Sequence, residues 1–169
     1  MKTIKLLLGL LTVLCLTTLF CLVGCTEQVP PDEDATVIIA EDGKSEYRIV
    51  YTPNSSLSGR WANKIKEELK LTENPSVDSS EYELEILVGD TSRTLSEELK
   101  SAALDGKPED SWVWAFAYKD GKLAIYANCQ SAFDMALQAL RDEYIKDGVF
   151  SVSNKLLCLC KLIYLPQLV

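Results

Sequence analysis

The chain has 169 residues, a formal charge of −8 and no histidine. Without an imidazole there is no Ser-His-Asp or Cys-His nucleophile, and the commonest metal ligand is missing. An acidic chain with no basic cluster also argues against nucleic acid as a partner, because phosphates call for Lys and Arg. The first element, Met1-Lys2-Thr3-Ile4-Lys5, is cationic. Leu6 to Leu22 follows as an almost unbroken apolar run, softened by Thr12, Thr17 and Thr18. A basic start, an apolar stretch and a small residue before a cut describe a signal peptide. The other reading of the run is a permanent transmembrane helix, for which it is borderline against the roughly 20 apolar residues a span takes.

The run ends in Leu22-Val23-Gly24-Cys25. This stretch resembles the lipobox of bacterial lipoproteins. The resemblance implies that a diacylglycerol is joined to the Cys25 thiol and that the peptide is cut between Gly24 and Cys25. Cys25 then becomes the first mature residue, with everything after it on the extracytoplasmic face of a cell membrane. Residues 1–24 are a lipoprotein signal peptide in this reading. Loss of Lys2 and Lys5 with it removes two positive charges and takes −8 to −10. Such a chain has no electrostatic hold on anionic lipid. The membrane link is the lipid itself, palmitate-type chains contributing about 0.8 kcal/mol per buried methylene. Cys15 and Cys21 leave with the signal.

Residues 25–35 read as a flexible tether: Pro30-Pro31 stiffens Thr26 to Asp34, and Asp32, Glu33 and Asp34 keep it solvated. The folded part, expected over 36–154, opens with a strand at Thr36 to Ala40. Asp42-Gly43 gives a turn, and Glu46 to Tyr51 a second, alternating strand, so a hairpin is predicted. Leu57, Trp61, Ile65 and Leu69 recur every four residues over Ser56 to Leu71, which predicts a helix with one apolar stripe. Thr72 to Ser80 is a polar loop. Glu81 to Val88 alternates as a strand, with Tyr82, Leu84, Ile86 and Val88 inward and Glu83 and Glu85 outward.

Thr94 and Glu97 have the spacing of a capping box opening a short helix to about Ala103. Ser111 to Lys119 and Lys122 to Asn128 flank Asp120-Gly121 and form the clearest hairpin in the chain. One face of its first strand carries Trp112, Trp114, Phe116 and Tyr118, the other Val113, Ala115 and Ala117. Ser131 caps a helix to about Lys146, and Val149 to Ser153 is a last strand. The order β-β-α-β-α-β-β-α-β predicts an α+β domain, one mixed or antiparallel sheet with about three helices packed on it.

This succession also resembles the small α+β domain that precedes the catalytic barrel in glycoside hydrolase family 20 and related secreted proteins. The residues that carry the likeness are the strand Tyr47-Arg48-Ile49-Val50-Tyr51 and a helix with Ala62 and Glu67-Glu68-Leu69. They continue with Tyr82 to Val88, which runs into Gly89-Asp90-Thr91-Ser92-Arg93 as in the family's "vG-x-T-x-R" turn. The hairpin Ala117 to Tyr126 and the helix Ala132 to Tyr144 complete the series. The resemblance implies a non-catalytic accessory or binding module associated with carbohydrate-active surface proteins. In the family the catalytic groups lie in the barrel, of about 250 residues, for which a chain ending at Val169 has no room. No catalytic residue is therefore carried over, and no enzymatic activity, cofactor or metal is expected. The competing readings are a structural envelope lipoprotein that binds protein partners, and a small glycoside hydrolase, or a fragment of one, working through paired carboxylates.

Three candidate sites follow. Cys25 is the lipidation site. Arg93, in the Gly89-to-Arg93 turn, either grips a ligand's carboxylate or phosphate or anchors the loop to an acid such as Asp90. Trp112 and Trp114 either stack on sugar rings or pack into the core. Glu67, Glu68, Glu83 and Glu85 read as a solvated exterior. Residues 155–169 form an apolar tail, either a loose continuation or a genuine closing or docking strand. Its Cys158 and Cys160 lack the C-x2-C spacing of a zinc knuckle. With Cys129 they make three thiols past Cys25, so one has no partner within a monomer.

Overall fold

The computed structural model describes residues 35–159. Cys25 and the expected signal peptide and tether lie outside them, as do residues 160–169. In chain order the elements are β1 (Thr36–Glu41), β2 (Arg48–Tyr51), α1 (Ser56–Glu68), β3 (Ser76–Val77), β4 (Glu85–Val88) and α2 (Thr94–Leu104). Then come β5 (Trp114–Lys119), β6 (Lys122–Ala127), α3 (Gln130–Ala139), a π-helical turn (Leu140–Tyr144), β7 (Ile145–Lys146), β8 (Val149–Ser153) and β9 (Leu157–Leu159). The fold is α+β, as expected, with two sheets in place of one: a six-stranded mixed sheet in the order β3-β2-β4-β6-β5-β9 and a three-stranded antiparallel one in the order β1-β8-β7.

The expected opening hairpin does not form. Asp42-Gly43 does turn the chain, with both residues at positive φ, and Glu41 and Lys44 exchange two backbone hydrogen bonds at 2.9 Å. Beyond that one bridge the strands part. β1 pairs with β8, while β2 lies parallel between β3 and β4. A turn signal fixes the reversal but not the partner, and burial of Ile39 against Phe150 and Val152 decides it here.

The parallel centre β2-β4-β6 is covered on both faces, as parallel strands require. One face presents Ile49, Ile86, Val88, Phe116, Leu123 and Ile125 to Trp61, Ala62 and Ile65 of α1, to Phe133 and Ala136 of α3, and to the small sheet. The Trp61 and Phe133 rings stack at 4.9 Å and 4°. Trp61 Nε1 donates to Gln130 Oε1 at 3.0 Å, so its polar end is satisfied as its ring is buried. The other face presents Val50, Leu87, Ala115, Ala117, Ala124 and Tyr126 to Leu99 and Ala103 of α2. The small residues on β5 and β6 let that helix lie close.

Several element ends differ from expectation. α1 ends at Glu68, and Lys70 then adopts a positive φ of 55°. A two-residue strand, β3, interrupts the polar loop. β4 starts at Glu85, so Glu81 to Leu84 are not strand. α2 is capped at Arg93 with no side-chain hydrogen bond, and the capping box is absent. Its position is set by Arg93, which is held elsewhere, and by a buried Thr91–Ser96 hydroxyl pair at 2.7 Å. α3 is capped by Cys129, whose Sγ accepts from the Ala132 N–H at 3.5 Å, in place of Ser131. After Ala139 the helix widens to a π turn and yields to β7, short of the expected Lys146. Part of the apolar tail is a real strand. β9 pairs antiparallel with β5, Leu157 opposite Ala117 and Leu159 opposite Ala115.

Candidate functional site

The densest polar arrangement among the described residues lies on the α2 face, where β4 and β6 begin. Glu85 is fully buried, contrary to the expected outward position. The alternation rule assumes one solvated face, and β4 has none. Its four residues are all buried because β2 and β6 flank it and helices cover both sides. A carboxylate in that place requires paired partners, and they are present.

Arg93 Nε and Nη2 meet the two Glu85 oxygens at 3.0 and 2.9 Å in a fork. Lys122 Nζ lies 3.0 Å from Glu85 Oε2, and the Tyr82 N–H donates to Oε1 at 3.0 Å. Arg93 Nη1 donates to Asp78 Oδ1 at 2.5 Å and to Ser92 Oγ at 3.1 Å, while Nη2 also donates to the Ser80 carbonyl at 2.7 Å. Asp78 in turn accepts from the Ser92 N–H and hydroxyl. Lys122 also reaches the Tyr82 carbonyl at 2.9 Å and Glu81 at 3.0 Å.

The electrostatics follow from these contacts. Burial alone would push the Glu85 carboxyl up. The hydrogen bonds from Arg93, Tyr82 and Lys122 outweigh it and hold the group below the usual carboxylate range. Asp78 behaves the same way: burial opposes ionisation, and Ser92 and Arg93 overcome it. Glu85 in turn raises the Arg93 pKa, chiefly by its hydrogen bond. For Lys122, burial works against the charge, and Glu81 and Glu85 more than restore it.

A guanidinium has five N–H donors, and each of Arg93's is engaged within the chain by the contacts above. Arg93 is thus a loop anchor in this structure, with Asp78 and Glu85 as its acids. Asp90, the expected acid, bonds Lys100 instead at 2.5 Å. Both of those side chains are largely exposed, so their pairing contributes little. An open cleft of about 370 Å³ adjoins the cluster, lined by Glu81, Arg93, Thr94, Glu98, Lys119 and Lys122 among others. Its acids and bases alternate, so it carries no single sign of charge.

The aromatic candidates separate. Trp112 lies ahead of β5 and is 37% exposed. Asn128 fixes the backbone around it: its Oδ1 accepts from the Val113 N–H at 3.0 Å, its Nδ2 donates to the Ser111 carbonyl at 2.7 Å, and its own N–H donates to the Val113 carbonyl at 3.0 Å. Trp114 is half-buried and tilts 46° against Phe116 at 5.1 Å. It packs against both core clusters, so the two indoles form no single flat platform.

Glu68 is also not a simple exterior group. It pairs with Arg141 Nη2 at 2.5 Å and draws α1 toward the π turn. Asp78, Lys122 and Asn128 were not legible as site residues. The one available signal was Glu85 itself, an acid inside the apolar run Leu84 to Val88. Among the described residues no cluster of His, Cys, Asp or Glu is placed to hold a metal ion, and no helix is long and apolar enough to cross a membrane.

Fold and cluster together define an α+β domain whose loop 78–85 is bolted to the start of α2 by a buried ion-pair network. No known family model matches the chain, and no curated protein matches its sequence.

Proposed function

We propose that the protein is a lipid-anchored extracytoplasmic accessory or binding module without catalysis of its own, associated with carbohydrate-active surface proteins. The observation that carries this reading is Leu22-Val23-Gly24-Cys25 at the end of an apolar run, followed by an acidic tether. A folded domain then begins at Thr36. One feature of the domain supports a binding role. Trp112 stands partly in solvent on a backbone clamped by Asn128, and a partly exposed indole suits stacking on a sugar face.

Labelling of producing cells with a fatty-acid analogue tests the anchor. The wild-type chain is expected to take the label and lose its signal segment, and Cys25→Ser to do neither. Labelling that survives Cys25→Ser rejects Cys25 as the anchor. A glycan array with the mature protein, compared with Trp112→Ala, tests the ligand class. Turnover of chromogenic glycosides, lost on a single carboxylate change, would reject the non-catalytic reading.

A further inference from the structure

We propose that Asn128 and Trp112 form one binding site for an uncharged saccharide, in which Asn128 positions the indole and hydrogen-bonds a sugar hydroxyl. The site rests on the stacking role proposed for Trp112. It adds a second residue to that role and a charge class to the ligand.

The β5–β6 ladder ends with Trp114 opposite Ala127. One residue beyond, Asn128 carries the pairing on by other means. Its backbone N–H donates to the Val113 carbonyl at 3.0 Å, and its Oδ1 accepts from the Val113 N–H at 3.0 Å. Its Nδ2 donates to the Ser111 carbonyl at 2.7 Å. The side-chain amide thus bridges the residues on either side of Trp112, as a neighbouring strand would. The Ser111 N–H is held as well, by the Pro108 carbonyl at 3.1 Å. Val113 is 1% exposed and anchored in the cluster under α2, while Trp112, between the two clamped residues, is 37% exposed. The clamp sets the direction of the Trp112 Cα–Cβ bond, and loss of the amide releases it.

Asn128 also keeps hydrogen-bonding capacity. A primary amide has two N–H donors and a carbonyl oxygen with two lone pairs. The contacts to Ser111 and Val113 use one donor and one lone pair, and the residue is exposed. One donor and one acceptor are left for a ligand. A sugar hydroxyl is itself both donor and acceptor, so one hydroxyl or a neighbouring pair matches what is left. The indole takes the apolar C–H face of the sugar ring, and the amide takes its polar rim.

The loop leading to Trp112 selects against acidic sugars. Asp105, Glu109 and Asp110 stand there against Lys107, three acids to one base, and all four residues are exposed. The local charge is −3 + 1 = −2. Such a field repels uronates and other anionic sugars and leaves a neutral ring undisturbed.

The test uses the full chain in a sugar-free detergent, labelled with fluorotryptophan and probed on an array of neutral and acidic glycans. The three tryptophans give three fluorine resonances, and Trp112→Phe identifies that of Trp112. Asn128→Ala is expected to move the Trp112 resonance, to leave that of Trp61 in place, and to weaken neutral-glycan binding about tenfold through loss of a hydrogen bond and a displaced indole. Asn128→Asp keeps the acceptor for the Val113 N–H and lacks the donor. It serves should the alanine variant unfold, and the same loss of affinity is expected of it. If a folded Asn128→Ala retains either the Trp112 resonance or the affinity, the proposal falls while Trp112 remains the stacking residue. Binding of acidic glycans as tight as that of neutral ones also overturns it. An array with no bound glycan, or affinity that survives Trp112→Ala, rejects the stacking role itself and the proposal with it.

Discussion

Arg93 and Glu85 meet in a two-pronged pair, Nε at 3.0 Å and Nη2 at 2.9 Å from the two carboxylate oxygens, with the acid wholly buried and the guanidinium side chain 11% exposed. Removing one member leaves the other charged and dry. Arg93→Ala is expected to cost about 3–5 kcal/mol, the usual penalty for breaking a buried pair from one side. Arg93→Lys should recover only part of this, because an ammonium cannot span both oxygens and Asp78 together. Urea unfolding measures both. An Arg93→Ala loss under about 1 kcal/mol would mean that water reaches Glu85 when the arginine is gone.

The same network sets an acid limit. Glu85 and Asp78 are held below their ordinary values of 4.5 and 3.8 in the folded state. A depressed carboxylate adds stability that is complete above its unfolded pKa and lost as pH falls through its folded pKa. The melting temperature is therefore expected to be insensitive to these two groups above about pH 5 and to fall steadily below it. Glu85→Gln is expected to melt lower at neutral pH and to show a shallower acid decline. Parallel pH profiles of the two proteins would contradict the assignment.

Gly121 turns the β5–β6 hairpin at φ +78°, and a Cβ there would sit 2.9 Å from the Glu83 carbonyl oxygen and 3.1 Å from Leu84 Cδ2. Gly106, also at positive φ, has nothing within 4 Å. Gly106→Ala should therefore cost only the left-handed backbone penalty of about 1–2 kcal/mol. Gly121→Ala should cost more, since backbone must also move. Thermal melts of the two variants give the comparison, and equal losses would show that loop 81–84 yields freely.

Truncation of Phe133 removes the ring stacked on Trp61 at 4.9 Å and opens a void between α1 and α3. Phe133→Ala is expected to lose about 3–5 kcal/mol. Intrinsic tryptophan fluorescence of the folded variant should shift to the red as Trp61, now 4% exposed, gains water. A large stability loss with no spectral shift would place the disruption elsewhere.

The elements with strong local signals read correctly from sequence. α1 has its four-residue stripe, and the β5–β6 hairpin its Asp120-Gly121 turn. What escaped was partner choice. Asp42-Gly43 promised a hairpin, yet β1 found β8, because a turn is local and strand pairing is not. Glu85 looked outward because alternation presumes a wet face, which only the position of β4 in the finished sheet denies. Capping residues were displaced by one or two positions at Arg93 and Cys129, where tertiary anchoring outweighed side-chain preference. At the candidate site, Arg93 was legible as an anchor, but its acids Asp78 and Glu85 were not, since their meeting depends on loop 78–84 crossing the α2 face.

Thr36 stands opposite Ser153 in the small sheet. The first strand of the domain therefore has no partner until nearly all the rest has been made. The β4–β6 core and the β5–β6 hairpin can assemble from nearer neighbours, whereas closing β1 onto β8 pays for the longest loop in the molecule. Refolding should end, rather than begin, at the amino-terminal strand. Until that late step Ile39, 1% exposed in the finished domain, stays in water.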